Sequence, residues 1–131
     1  MLETPTGNGR VLLVEDEALV QMLAVEYLEE LGYRVETAGS ATGAMNKVKL
    51  LNGQIDVAII DVGLPDRKGD VLIGELRALY PHLPMVVATG YEEDVLRKRF
   101  GSDALISFLR KPYGHADIEK AVARARQARG A

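Results

Sequence analysis

The sequence predicts an α/β fold, a doubly wound parallel sheet of five strands with helices on both faces. Two observations lead there. The runs Val11-Leu12-Leu13-Val14, Val57-Ala58-Ile59-Ile60 and Met85-Val86-Val87-Ala88 are apolar without interruption, as strands buried on both faces are. Between such runs, apolar residues recur every three or four positions, the spacing of helices. Strand and helix alternate five times along the chain, and that alternation argues for a parallel sheet wound by right-handed crossovers.

Taken in order, residues 1–9 are rich in Gly, Thr and Pro and are expected to form a flexible leader. One domain is expected over 10–127, with a short tail at 128–131. Strand one runs straight into acid at Glu15-Asp16-Glu17, and the helix after it is expected to turn Val20, Leu23, Tyr27 and Leu31 inward. Gly32 suits a left-handed helix end. Arg34 to Ala38 has the alternating pattern of an edge strand. Ser40 can cap the second helix, whose inward stripe is Ala44, Val48 and Leu51, and Asn52-Gly53 breaks it. The third strand ends on Asp61 and opens into Gly63-Leu64-Pro65. A polar turn, Asp66-Arg67-Lys68-Gly69, leads to a helix with Leu72, Leu76 and Leu79 on one side, closed by Pro81 and Pro84. Strand four ends at Thr89. The fourth helix, Glu92 to Phe100, is acidic at its start and basic at its end, complementing the helix dipole. Leu105 to Leu109 is the fifth strand, ending at Lys111-Pro112, and a last helix from about Ala116 carries Ile118, Val122 and Ala125 inward.

Composition narrows the function. Hydrophobic residues make up 47% and charged residues 27% of 131 positions, ordinary for one globular domain. Sixteen Lys and Arg against nineteen Asp and Glu give a net charge of −3, so no general basic field invites direct contact with nucleic acid. The absence of cysteine removes disulfides, thiolate catalysis and zinc-thiolate sites together. The amino terminus lacks the basic flank and apolar core of a signal peptide, and no apolar run reaches the ~20 residues that span a bilayer. A cytoplasmic protein without membrane contact is expected.

The informative pattern is where polar residues fall. Strand one ends on Glu15 and Asp16, strand three on Asp61, strand four on Thr89 and strand five on Lys111. In a parallel sheet the carboxyl ends share one edge, where ligands bind, so these residues can converge. Each has an ordinary explanation alone: a strand-ending Asp in a loop, acids at a helix start, a turn hydroxyl, an exposed Lys. Together they imply chemistry. Two carboxylates ~4 Å apart repel by about 4 kcal/mol at an effective dielectric near 20, so three need a counter-charge. Oxygen ligands without His or Cys favour a hard ion, and Mg²⁺ suits carboxylates shared with a phosphoryl group. Three carboxylates, one Mg²⁺ and one Lys cancel in formal charge. Phosphoryl transfer, which is mostly positioning and charge stabilisation, gives the roles. Asp61 is the expected nucleophile and phosphoacceptor. Asp16, supported by Glu15, is expected to hold the metal, with the backbone carbonyl of Gly63 adding an oxygen. Thr89 and Lys111 are expected to contact the phosphoryl group.

The chain resembles the response-regulator receiver domains of two-component signalling over about Arg10 to Arg126. The resemblance is carried by Val14-Glu15-Asp16-Glu17, by Asp61-Val62-Gly63-Leu64-Pro65 with Gly69 downstream, by Ala88-Thr89-Gly90, and by Lys111-Pro112. It implies a flavodoxin-like sheet of order 2-1-3-4-5, Mg²⁺-dependent phosphorylation of Asp61 by a histidine kinase or a histidine phosphotransfer protein, and a cis peptide between Lys111 and Pro112. It also implies a switch in which Thr89 moves toward the phosphoryl group and Phe108 fills the vacated space. Phe108 has no hydroxyl, so its coupling is expected to be by packing alone. The fourth helix, fifth strand and fifth helix form the implied surface for an unknown downstream protein, the chain acting as a monomer or a phosphorylation-dependent homodimer.

Three features depart from the usual pattern or qualify it. The loop Asp66-Arg67-Lys68 is unusually charged, which is expected to affect partner docking. Tyr91 flanks the phosphoryl position and is expected to slow water attack. Ala88-Thr89-Gly90-Tyr91 also resembles a stress-signalling subgroup, although Val87 stands where that motif has Phe. Two other readings compete. A Mg²⁺-dependent aspartyl-phosphate phosphatase of the haloacid-dehalogenase type needs Asp-x-Asp after strand one, whereas Asp16 is followed by Glu17-Ala18. An unphosphorylated pseudo-receiver usually loses an acid or the lysine, and this chain keeps them.

Overall fold

The computed structural model describes residues 9–90 and 93–130, with backbone alone for 128–130. Tyr91, one of the expected site residues, lies outside the described residues. The elements are β1 (Gly9–Val14), α1 (Ala18–Glu30), β2 (Tyr33–Ala38), α2 (Ala41–Leu50), β3 (Val57–Asp61), α3 (Gly69–Leu79), β4 (Met85–Thr89), α4 (Glu93–Phe100), β5 (Ile106–Arg110) and α5 (His115–Gly130). All strand pairings are parallel, in the order β2-β1-β3-β4-β5. β1 begins at Gly9 and α5 continues to Gly130, so element ends overlap the leader and tail expected from the sequence.

Strand alternation divides the core into two layers. Leu12 and Val14, Ala58 and Ile60, and Met85 and Val87 face one side, where α2, α3 and Leu96 of α4 cover them. Val11 and Leu13, Val57 and Ile59, and Val86 face the other, against Ala24 and Leu28 of α1 and Ile118, Val122 and Ala125 of α5. Each fully buried Leu, Ile or Val contributes roughly 1.5–3 kcal/mol, which fixes the strand register and hence the level of the strand ends. Among the described residues no helix is long and apolar enough to cross a membrane.

Two inward stripes differ from expectation. On α1, Ala24 and Leu28 are buried while Leu23 is 41% exposed, because the helix is apolar around much of its circumference and periodicity alone does not fix its phase. On α3, Ile73 joins Leu72 and Leu76 in the core, and Leu79 points outward from the last turn. The turn signals agree with the structure. Gly32 takes φ +92, Asn52 and Gly53 both have positive φ, and the Ser40 hydroxyl accepts the Gly43 N–H at 3.0 Å.

The charged loop has a structural use. The Asp66 carboxylate accepts the Ala41 and Thr42 N–H groups, both at 2.8 Å, so the β3–α3 loop caps the start of α2. These bonds, from Thr42 and then Ala41, hold the Asp66 carboxyl well below the usual carboxylate range. Arg67 pairs with Glu75 of α3. Arg77 ties α3 to the loops beneath it, donating from Nε to Asp103 at 2.8 Å and from Nη1 to the Leu83 carbonyl at 2.7 Å.

Candidate functional site

Four strands deliver their last residues to one edge. Val14 is level with Ile60, and Asp61 with Ala88. Backbone bonds beyond the strands extend the ladder: Glu15 N–H to the Ala38 carbonyl at 2.9 Å, Val62 N–H to Ala88 at 3.2 Å, and Lys111 N–H to Thr89 at 2.9 Å. The sheet therefore fixes Glu15, Asp61, Thr89 and Lys111 before any side-chain contact is made.

Close packing holds the loop after Asp61 as well. The Gly69 N–H donates to the Val62 carbonyl at 3.0 Å. A Cβ at Gly69 would lie 2.4 Å from Val62 Cα and 2.8 Å from the Asp61 carbonyl oxygen, so only glycine lets α3 start this close to β3. Gly63 is exposed beside the site, and a Cβ there would stand 3.9 Å from Asp61 Oδ2.

Carboxylate oxygens of Glu15, Asp16 and Asp61 lie within 4.8 Å of one another. At that spacing each ionised pair repels by about 3 kcal/mol. Glu15 is 2% exposed and Asp61 4%. Burial pushes the Glu15 carboxyl up to about 7; the Glu17 N–H, at 3.1 Å from Oε2, offsets part of this, and the Asp61 charge adds to it. Lys111 is the counter-charge, with Nζ 3.1 Å from Asp61 Oδ1, 3.7 Å from Glu15 Oε1 and 3.9 Å from Glu17 Oε1. Burial alone pulls its ammonium down. The hydrogen bond to Asp61 and the charges of Asp61, Glu15 and Glu17 outweigh that and hold its pKa above the ordinary value. The Lys111–Pro112 peptide is cis.

One ammonium does not balance these acids, and every nearby donor is a hard oxygen. The set fits a hard divalent cation such as Mg²⁺. Thr89 adds a second indication. It is 0% exposed, and its Oγ1 has no hydrogen-bond partner among the described residues. A buried hydroxyl left unpaired costs about 1–3 kcal/mol, which suits a group kept for a ligand.

A cavity of about 880 Å³ opens beside Asp61 and Lys111, walled by Val20, Leu23 and Tyr27 of α1 and by Pro112 and Tyr113. Burial, then the Glu15 and Asp61 charges, raises the Tyr113 phenol above its usual range. The α1 surface next to it exposes Leu19 (66%) and Met22 (57%). Sequence reading missed this ridge, although apolar residues on several sides of one helix were the available signal.

Phe108 stands apart from the acids, half-buried against the α2–α3 side of the core. Arg97 of α4 lays its guanidinium over the ring, 4.5 Å from the centroid. Packing alone therefore does not describe its surroundings, because a cation on α4 also lies against the ring.

Comparison with known proteins finds matches over most of the chain. Residues 11–123 match the family model described as the response regulator receiver domain. The chain is 37% identical over 108 residues to the sensor kinase CckA of Brucella abortus, covering 82% of this chain and 11% of that protein. It is 36% identical over 123 residues to the transcriptional regulatory protein PdtaR of Mycobacterium tuberculosis, covering 90% of this chain and 58% of that one. The chain thus spans only part of these relatives. Among solved structures, a response regulator receiver domain protein from Clostridium thermocellum superposes with a TM-score of 0.84 at 26% identity, covering 93% of this chain and 97% of that one.

Proposed function

The chain belongs to the response regulator receiver domain family, and from that membership we propose that it is a phosphorylation-activated switch with Asp61 as its phosphoacceptor. The observation that carries this reading is the Asp61 carboxylate, buried at the end of β3 between an acid pair and the Lys111 ammonium 3.1 Å away.

An Asp61 oxygen attacks the phosphorus of a phosphorylated donor. A P–O bond to the carboxylate forms as the bond to the donor's nitrogen or oxygen breaks, and the leaving group carries away that bond's electron pair. Lys111 orients Asp61 and offsets the charge that builds on the phosphoryl oxygens. The Thr89 hydroxyl donates to one of those oxygens and so acquires the partner it lacks. Glu15, Asp16, Asp61 and the Gly63 carbonyl would hold Mg²⁺, which supplies Lewis-acid stabilisation of the phosphoryl charge. With Thr89 drawn over, Phe108 turns inward and alters the surface of α4, β5 and α5.

The proposed donor is a histidine kinase or histidine phosphotransfer protein. Leu19, Met22 and Leu23 form an apolar ridge beside the cavity that opens onto Asp61, suited to packing against a partner's helix while its phosphorylated side chain enters.

Intact mass spectrometry after incubation with acetyl phosphate tests the reading. One phosphoryl group is expected with Mg²⁺ present, and none with a chelator or in Asp61→Asn. Absence of an adduct from every donor would instead favour an unphosphorylated binding module, and turnover of a small phosphate ester would favour a phosphatase.

A further inference from the structure

The face formed by α4 and β5 carries an arrangement that the phosphoryl chemistry does not use. Glu93, in the first turn of α4, accepts Arg97 Nε on Oε2 at 2.7 Å and Arg110 Nε on Oε1 at 3.2 Å. Arg110 ends β5, directly before Lys111, and is level with Thr89 across the ladder. One carboxylate thus ties α4 to the strand end that carries the site lysine. The Glu93 side chain is only 15% exposed, and the Arg97 hydrogen bond, with smaller contributions from the charges of Arg97 and Arg110, lowers its pKa.

Arg97 does two things at once. Its edge is held by Glu93, and its flat face covers Phe108 at 4.5 Å. Ion pairs this exposed add little stability by themselves. Their effect here is to orient the guanidinium over a half-buried ring. Inward rotation of Phe108 would exchange that contact for apolar neighbours, since Val87 and Leu96 belong to the core layer against which the ring packs. A second contact, Arg99 to Asp70 at 2.8 Å, links α4 to α3 and adds to the resting position of the helix.

We propose that Glu93, Arg97 and Arg110 form an autoinhibitory latch on Phe108, holding the signalling face in its resting arrangement until phosphorylation of Asp61 draws Thr89 away. The latch rests on the reading of Asp61 as phosphoacceptor and Phe108 as switch aromatic. By linkage, whatever weakens the latch must tighten binding of a phosphoryl mimic at Asp61 by the same factor. The strength of one guanidinium–ring contact at a half-exposed site corresponds to about a two- to fivefold change in that equilibrium.

The test is fluorine NMR on protein labelled with fluorophenylalanine, which reports Phe108 and Phe100 separately once Phe100→Leu assigns the signals. Titration with beryllofluoride and Mg²⁺ is expected to move the wild-type Phe108 resonance. In Arg97→Ala and Glu93→Gln the resonance is expected to lie partway along that shift before any addition, with a titration midpoint about two- to fivefold lower. Arg97→Lys keeps the charge but loses the flat face, and is expected to fall between. Arg97 is half-exposed, so the fold tolerates these changes, and a matching thermal midpoint checks that. The latch is overturned if Arg97→Ala leaves both resonance and midpoint at wild-type values. It is also overturned if beryllofluoride binds wild-type protein without moving Phe108. No binding of beryllofluoride at all overturns the phosphoacceptor reading, and the latch with it.

Discussion

Thr89 is the residue at which stability and function separate most cleanly. Its hydroxyl is wholly buried and unpaired among the described residues, so the folded protein carries a cost that a phosphoryl oxygen would relieve. Replacing it with the isosteric Val removes that cost while keeping the shape. Thr89→Val is expected to raise the unfolding free energy by about 1 kcal/mol, measured by urea denaturation, and to abolish the Phe108 response to beryllofluoride. Loss of stability in that variant would show that the hydroxyl has a resting-state partner. The sequence placed Thr89 at a strand end and predicted its contact with phosphate. It gave no sign of the unpaired state, which depends on how the sheet closes around one oxygen.

At the scale of elements, the loop between β3 and α3 couples the strand that ends on Asp61 to α2. Asp66 caps α2 through the Ala41 and Thr42 N–H groups, and its carboxyl pKa lies below the ordinary value of about 3.9. A depressed folded-state pKa contributes stability that is complete above the unfolded pKa and is lost as pH falls toward the folded one. Wild-type protein is therefore expected to lose thermal stability more steeply below about pH 4 than Asp66→Asn, and to melt higher at pH 7. Parallel pH profiles would contradict the capping role. The charge of this loop was legible in the sequence, but its partner was not, because α2 begins 25 positions earlier. The same limit applies to α1. Its existence follows from periodicity, while its phase was settled by the sheet, which took Ala24 and Leu28 and left Leu19, Met22 and Leu23 outside.

For the whole molecule, the legible part was that which the backbone period dictates. Uninterrupted apolar strands alternating with helices argue for a parallel sheet covered on both sides, and parallel strands place their carboxyl ends together. Glu15, Asp16, Asp61 and Lys111 therefore converge as expected, within the spacings observed. The Glu93–Arg97 pair lies one helical turn apart within α4, but the link to Arg110 and the cation over Phe108 were not legible, since α4 and β5 meet only through the tertiary fold. Both the site and the network serve one claim, that the chemistry begins on the Asp61 carboxylate. The most direct measurement is to treat the protein with acetyl phosphate and Mg²⁺, trap the acyl phosphate with borohydride, and map the product by peptide mass spectrometry. The expected result is homoserine at position 61 and at no other acid, Glu15 and Asp16 included. Reduction at a different residue, or none in protein that binds beryllofluoride, would contradict it.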